Sequence, residues 1–402
     1  MTKLKAKVKP DVLVWARESA GLSAELASSK LRITESSLAE WEAGTNSPSI
    51  PQLRKMAELY KRPLAVFYLA APPERFQALK DFRRMPGTAM PIVDSAIVIE
   101  ERRARQRREL AIELSEDLEE VIPDFTISAT LEETPERVGS RVREELGVTD
   151  EVQRQWKDGS GRKAFNAWRE RIESKGVLVF QSDRFGSSEA SGFAIWESVA
   201  PIIVISRKST SPRRKTFSLL HEFAHLLLRS SGVSNLDIDG DTRRPPEEQR
   251  VEVFCNAVAS AALLPRNALL ANSIVSRHRS GQMEWSDEEL RDIASNFGVS
   301  REVVLRRLLT LRKTTRTFYV ETKDRYQREW DEARNRQRLT AAPEGIPRNM
   351  PVEILGNFGR PFVGLVLENY NQDQMSLSEA AGYLGLKTKH MSKVAHLLRT
   401  GG

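Results

Sequence analysis

The stretch His221-Glu222-Phe223-Ala224-His225 constrains this chain more than any other. On an α-helix, residues four apart lie on one face, so both imidazoles can reach a single ion. Zinc then needs a third protein ligand and an open fourth position for water. Glu222 sits one residue along, where it can lean toward that water and take its proton. Phe217, Leu219 and Leu220 before the motif, and Leu226 to Leu228 after it, read as a buried helix over Thr216 to Arg229. The plain alternative is a buried helix with two satisfied histidines. The chain has only five histidines, so a chance HExxH is expected about 0.01 times or fewer per chain of this composition.

A third ligand is expected from a second helix. Between 231 and 265 the candidates are Asp237, Asp239, Asp241, Glu247, Glu248 and Glu252. The aspartates fall in a Gly- and Asp-rich loop over 231–246. Glu252 falls inside a helix predicted over Glu247 to Leu264, whose apolar face can hold a carboxylate rigidly. Glu248 shares that face and is the second choice. Asn256, one turn after Glu252, can hold a ligand imidazole by its other nitrogen. Cys255, the single cysteine, reads as a small core residue rather than a thiolate ligand. His278 is a candidate for stabilising an oxyanion, against the simpler reading of a surface histidine.

These residues carry a resemblance. Thr216-Phe-Ser-Leu-Leu-His-Glu-Phe-Ala-His-Leu-Leu-Leu228 resembles the signature helix of the ImmA/IrrE metallopeptidases. Glu252-Val-Phe-Cys-Asn-Ala-Val-Ala-Ser-Ala-Ala-Leu-Leu-Pro265 is similar to that family's second helix. The strand Pro201 to Ser206 also fits, with Ser206 where the family often has Asn, and Cys255 stands where Ala is usual. The resemblance covers about 176–311. It implies a gluzincin-type zinc endopeptidase with His221, His225 and Glu252 as ligands to Zn2+ and Glu222 as the catalytic base. Its expected substrates are repressors or antitoxin-like regulators.

Residues 11–70 resemble the Cro/repressor (XRE) type of helix-turn-helix, through Ala24-Glu-Leu-Ala27, Ile33 to Gly44, Ser47-Pro-Ser49 and Leu53-Arg-Lys-Met-Ala57. ImmA/IrrE proteins often carry such a domain in front, joined by a Pro-Pro connector and a Phe-Arg-Arg segment, here Phe82-Arg83-Arg84. The chemistry of its third helix argues against reading DNA. Base edges and phosphates call for Arg, Lys, Asn or Gln, yet Glu35, Glu40 and Glu42 make this helix acidic. Seven basic and seven acidic residues over 11–70 leave no net charge. Lys30, Arg32, Ser36 and Ser37 are the candidate DNA contacts, with Lys3, Lys5, Lys7 and Lys9 in the tail. Docking to a protein is the competing role.

The remaining chain sets the frame. With 402 residues, two to four domains are expected. The net charge of +7 is compatible with nucleic acid or an acidic partner. One cysteine excludes an internal disulfide. No apolar run approaches the roughly 20 residues of a membrane span, so a cytoplasmic protein without a membrane partner is expected. Five arginines over 102–108 read as a solvated helix face with ion pairs. Residues 134–175 read as helical, and Gly176 to Gln181, Gly192 to Trp196 and Pro201 to Ser206 as three strands. A second helix-turn-helix pattern, Leu290 to Leu311, is expected to pack on the peptidase core. A third runs from Ser378 to Lys393 and has a basic second helix.

The expected fold is α+β and predominantly helical. Its parts are a five-helix helix-turn-helix domain (1–70), a helical connector (71–130) and a zincin-like core with a small sheet and trailing unit (131–312). A linker (313–350) and a C-terminal helical, helix-turn-helix-like unit (351–402) complete it. The function to expect is a zinc endopeptidase in transcriptional, phage or toxin–antitoxin regulation. Its partners would be a repressor, antitoxin or toxin protein and operator DNA. The alternative is a non-proteolytic regulator, binding DNA and a partner, with a structural or idle metal.

Overall fold

The computed structural model describes residues 5–20, 22–60, 62, 64–72, 80–81, 95–186, 190–208, 211–234, 246–278, 283–340 and 349–400. The chain forms two compact units, Met1–Gln106 and Arg107–Gly402. Asp237, Asp239, Asp241, Lys3 and the Phe82-Arg83-Arg84 segment lie outside the described residues. The architecture is α+β and predominantly helical.

The first unit holds α1 (Pro10–Glu18), α2 (Ala24–Leu31), α3 (Glu35–Glu42) and α4 (Ile50–Tyr60). Where a fifth helix is expected there is a short 3-10 helix, Leu64–Tyr68. Ser23 and Thr34 cap α2 and α3, their hydroxyl oxygens accepting from the amides of Leu26 at 3.1 Å and Ser37 at 3.2 Å. Gly44 follows α3 at φ +76°, and a Cβ there would stand 2.8 Å from Pro10 Cγ, so only glycine closes this turn. Leu13, Leu38, Leu53, Met56 and Tyr60 are fully buried where the helices meet.

Arg17 of α1 donates to Glu42 of α3 from two nitrogens, at 2.7 and 3.0 Å, with both side chains largely buried. Glu42 thus braces the fold and faces no ligand. Glu42→Ala is expected to destabilise this unit by about 2 kcal/mol, less than for a fully buried pair because water still reaches it. Hydrogen exchange at the Leu38 and Trp41 amides, in the full chain, measures the loss.

α5 (Ser95–Asp117) carries the arginine run. The expectation of a solvated face is not met. Arg102 is buried and reaches the Tyr60 carbonyl at 3.4 Å. In the second unit, Arg108 donates to the carbonyls of Val199 and Ala200, and Arg107 lies over the rings of Phe180 and Phe358. The long arginine stems cover apolar surface while their heads bind carbonyls.

The second unit is built on a sheet of β1 (Leu178–Ser182), β2 (Gly192–Ile195), β3 (Ile202–Ser206) and β4 (Gly232–Ser234). Their order is β4-β2-β3-β1. β1 runs parallel to β3, with Leu178 opposite Ile202. β2 is antiparallel to both β3 and β4, with Phe193 opposite Val204 and Val233. The three expected strands are present. β4 falls in the stretch read as a loop, and three residues are too few to show an alternating pattern. Every residue of β2 and β3 is buried, which explains their unbroken apolar runs. Val179, Ala194, Ile203 and Ile205 join the main core, while Phe180 meets Phe362 edge-on at 5.8 Å.

Around the sheet lie α6 (Pro135–Glu145), α7 (Asp150–Gln155), α8 (Arg162–Glu173), α9 (Pro212–Leu227) and α10 (Pro246–Leu263). Two short helices, α11 (Arg266–Leu270) and α12 (Ser273–Arg277), lead to α13 (Asp287–Phe297) and α14 (Arg301–Thr310). α14 packs on α10. α15 (Arg316–Thr340) is a 25-residue helix. Its buried Tyr319, and Tyr326 donating to Asp287 at 2.6 Å, anchor its first half. The chain ends in α16 (Met350–Phe358), α17 (Arg360–Asn371), α18 (Leu377–Tyr383), a 3-10 turn at Thr388–His390 and α19 (Met391–Thr400). α16 packs on β1. Among the described residues no helix is long and apolar enough to cross a membrane.

Candidate metal centre

α9 begins at Ser211, whose hydroxyl accepts from the Arg214 amide, with Pro212 in the first turn where its missing N–H costs nothing. From Thr216 to Leu227 every residue is buried. A helix buried all round can carry polar side chains only where they find partners, and here they find one another.

His221 and His225 project from the same side of α9, their rings 4.9 Å apart and their Nε2 atoms 3.2 Å apart. Glu252 comes from α10. Its Oε2 lies 3.5 Å from His221 Nε2 and its Oε1 3.3 Å from His225 Nε2. All three side chains are fully buried. One donor atom from each falls within 4.8 Å of the others, the only such meeting of three His, Cys, Asp or Glu side chains among the described residues.

Asn256 sets the protonation of this group. Its Oδ1 stands 3.1 Å from His221 Nδ1. A carbonyl oxygen only accepts, so the hydrogen sits on Nδ1 and the Nε2 lone pair faces Glu252 and His225. Burial pushes the His221 basicity down, and the neighbouring Glu252 carboxylate offsets this only in part. Burial alone would raise the Glu252 pKa, but the two imidazoles beside it outweigh this and hold the carboxyl at about 2. A neutral imidazole beside an ionised carboxylate is the donor state a divalent cation requires. Two imidazole nitrogens and one carboxylate oxygen also form a donor set suited to zinc. The residues therefore fit such an ion.

Glu222 lies on the neighbouring face of α9 and is fully buried. A Cβ built on Gly192 would stand 3.1 Å from its Oε1 and 2.7 Å from the Val204 carbonyl. Glycine at the start of β2 thus lets the carboxylate lie against the strand.

α10 is held close by small residues. A Cβ on Gly139 of α6 would meet Ala261 Cβ at 2.7 Å, so the two backbones touch through the run Val258 to Ala262. The last carbonyls of α10 need donors. Arg143 and Gln153 supply Ala262 and Leu263 at 2.9 and 3.0 Å, and Arg307 supplies Leu264 at 2.8 Å. Arg307, only 1% exposed, also grips Glu136 with two nitrogens. Sequence reasoning missed these three positions, because an arginine that caps a distant helix leaves no local spacing. Arg307 falls within the second helix-turn-helix pattern, Leu290 to Leu311, and nothing in that pattern singles it out.

The other candidates stand apart. Glu248 is half-buried and outside the three-residue group. Burial pushes the Cys255 thiol well up, with the Glu252 and Glu222 charges adding to it, so the side chain is a protonated core residue. His278 is stacked on Trp285 at 3.6 Å, with Nδ1 3.5 Å from Glu289. In the first unit, Lys30, Arg32 and Ser36 are exposed and Ser37 half-exposed. Both serine hydroxyls hydrogen-bond to Thr34 at the start of α3.

Among known protein families, residues 172–309 match the IrrE N-terminal-like domain and residues 13–67 the helix-turn-helix family. No curated protein matches the chain. The first of these is a metallopeptidase family that is generally zinc-dependent. The chain thus carries an IrrE-type metallopeptidase domain behind a helix-turn-helix domain of the XRE type, the pairing its sequence resembles.

Proposed function

We propose that this protein is a zinc-dependent endopeptidase of the gluzincin type that cleaves a regulatory protein of the repressor or antitoxin kind. The observation that carries this reading is the convergence of His221, His225 and Glu252 beside a second buried carboxylate, Glu222. A purely structural metal needs no carboxylate at its side. Zinc, when bound, would polarise a peptide carbonyl and make water easier to deprotonate. His221, His225 and Glu252 would hold it, Asn256 would fix the His221 ring, and Glu222 would take the proton from the attacking water and pass it to the leaving amine.

The ligand assignment has its own test. Elemental analysis of the purified chain should find about one zinc per molecule. Glu252→Ala should weaken zinc affinity by more than about 100-fold, and Asn256→Ala by about 10- to 100-fold, the range for a residue that only orients a ligand. Glu248→Ala should leave it unchanged. Loss on Glu248→Ala with retention on Glu252→Ala would move the third ligand to Glu248.

A second reading is favoured by one observation. His221, Glu222, His225 and Glu252 are all fully buried, so a peptide reaches them only after covering atoms move. The same residues would then serve a regulator that binds DNA and a partner protein without cutting it, with an idle metal, as in one half of a toxin–antitoxin pair. The decisive experiment is to purify the chain with the product of its neighbouring gene and look for cleavage fragments. Fragments that depend on Glu222 support the peptidase, and a stable uncut complex supports the second reading.

A further inference from the structure

We infer that the C-terminal unit presents a nucleic-acid interface, on the exposed face of α19 and the turn before it, for double-stranded DNA. The unit is a small helical domain whose interior is made by Phe362, Val363, Val366, Ala380, Leu384 and Val394, each no more than 1% exposed. α18 and α19 both pack on α17, and α19 also packs on α16. Between α18 and α19 the chain turns through Gly385 at φ +63°. This is a helix-turn-helix arrangement, with a short first helix capped by a reciprocal Ser376–Glu379 box and a second helix held by its buried face.

The charge on the second helix is of one sign. From Ala380 to Thr400 there are four basic residues and no acidic one. Lys389, Lys393, His396 and Arg399 follow one another at intervals of three or four, with Ser392 next to Lys393, and all five side chains are exposed. Met391 and Val394 lie on the opposite, buried side. The spacing sets phosphate-binding ammonium and guanidinium groups along one edge of the 3-10 turn and the helix that follows it, with hydrogen-bonding Ser392 and His396 between them. A helix of ten residues is about 15 Å long and fits a major groove about 12 Å wide. Glu379, the nearest carboxylate in sequence, is engaged with the Ser376 amide at 2.8 Å.

The first unit offers the opposite chemistry at the corresponding place. α3 exposes Glu35 and Glu40, and its two serines are drawn into its own cap. Of the two units, the C-terminal one has the surface that attracts a polyanion. Regularly spaced donors on a helix presented this way match a duplex better than they match an irregular acidic protein surface.

The test uses the full chain and a fluorescent mixed-sequence duplex of about three helical turns. Binding is followed by anisotropy at ~50 and ~200 mM salt. Three phosphate contacts would make affinity fall about 40-fold across that range. The triple variant Lys389→Gln, Lys393→Gln, Arg399→Gln should lose at least about tenfold in affinity at low salt and reduce the salt slope by about three. The pair Lys30→Gln, Arg32→Gln should change neither by as much. All five positions are exposed, so unchanged melting of each variant shows that the fold persists. Equal binding by the triple variant and the unaltered chain overturns the proposal. So does preference for a single strand of the same sequence, or the capture of an acidic partner protein by this face with no duplex binding.

Discussion

Glu222→Gln should keep zinc at full stoichiometry and lose peptidase activity by at least about 1,000-fold, within the range for removing a general base. The substitution conserves volume and the neighbouring backbone, so it isolates one property. A carboxylate accepts a proton, and an amide does not. Glu222 is outside the three-residue donor group, so metal content should be untouched. Its carboxylate is tightly framed, since even a Cβ on Gly192 would come within 3.1 Å of it. Glu222→Asp withdraws the carboxylate by one methylene and should give intermediate activity. Cleavage of the neighbouring gene product, scored beside elemental analysis of the same samples, reads both quantities. Full activity in the Gln variant would sink the peptidase reading, and a wild-type biological effect from an uncut partner would replace it with the binding reading.

The centre was legible in the sequence because its geometry is local. His221 and His225 meet through the four-residue repeat of one helix, and Glu252 and Asn256 repeat that spacing on the next. What spacing does not show is the contact between the two helices. It depends on Gly139, in a distant helix, lacking a Cβ where Ala261 and Ala262 approach. It depends as well on Arg143, Gln153 and Arg307 binding the last carbonyls of α10. No periodicity marks a residue whose partner lies 43 to 119 positions away.

The fold was readable to a similar depth. β1 to β3 announce themselves as apolar runs because they are buried on both faces. β4 is only three residues long and was invisible to pattern. The arginine run misled for a physical reason. Charge spacing at three and four residues looks the same on a solvated face as on one whose heads bind carbonyls and rings. Arg107 and Arg108 belong to the second kind. The length of α15 was hidden too, because a polar helix anchored by Tyr319 and Tyr326 has the composition of a linker.

Chelation should lower the melting temperature of the second unit by about 10 °C, and the reason lies in the same donor set. Zinc at about 1,000 times its dissociation constant stabilises the state that binds it by about 4 kcal/mol. A unit of this size shifts by about 2–4 °C per kcal/mol. Without an ion the two imidazoles and the carboxylate are left to face one another. His221 carries its hydrogen on Nδ1, toward Asn256 at 3.1 Å, so its Nε2 faces inward as a lone pair. A hydrogen on His225 Nε2 can serve His221 at 3.2 Å or Glu252 at 3.3 Å. The loss should centre on α9 and α10, where hydrogen exchange after chelation would show Leu219, Leu226, Val258 and Ala259 opening first. His225→Ala should remove the response, melting at one temperature with or without the chelator. If the unaltered chain melts identically before and after its zinc is withdrawn, the three residues do not hold a metal that the fold uses.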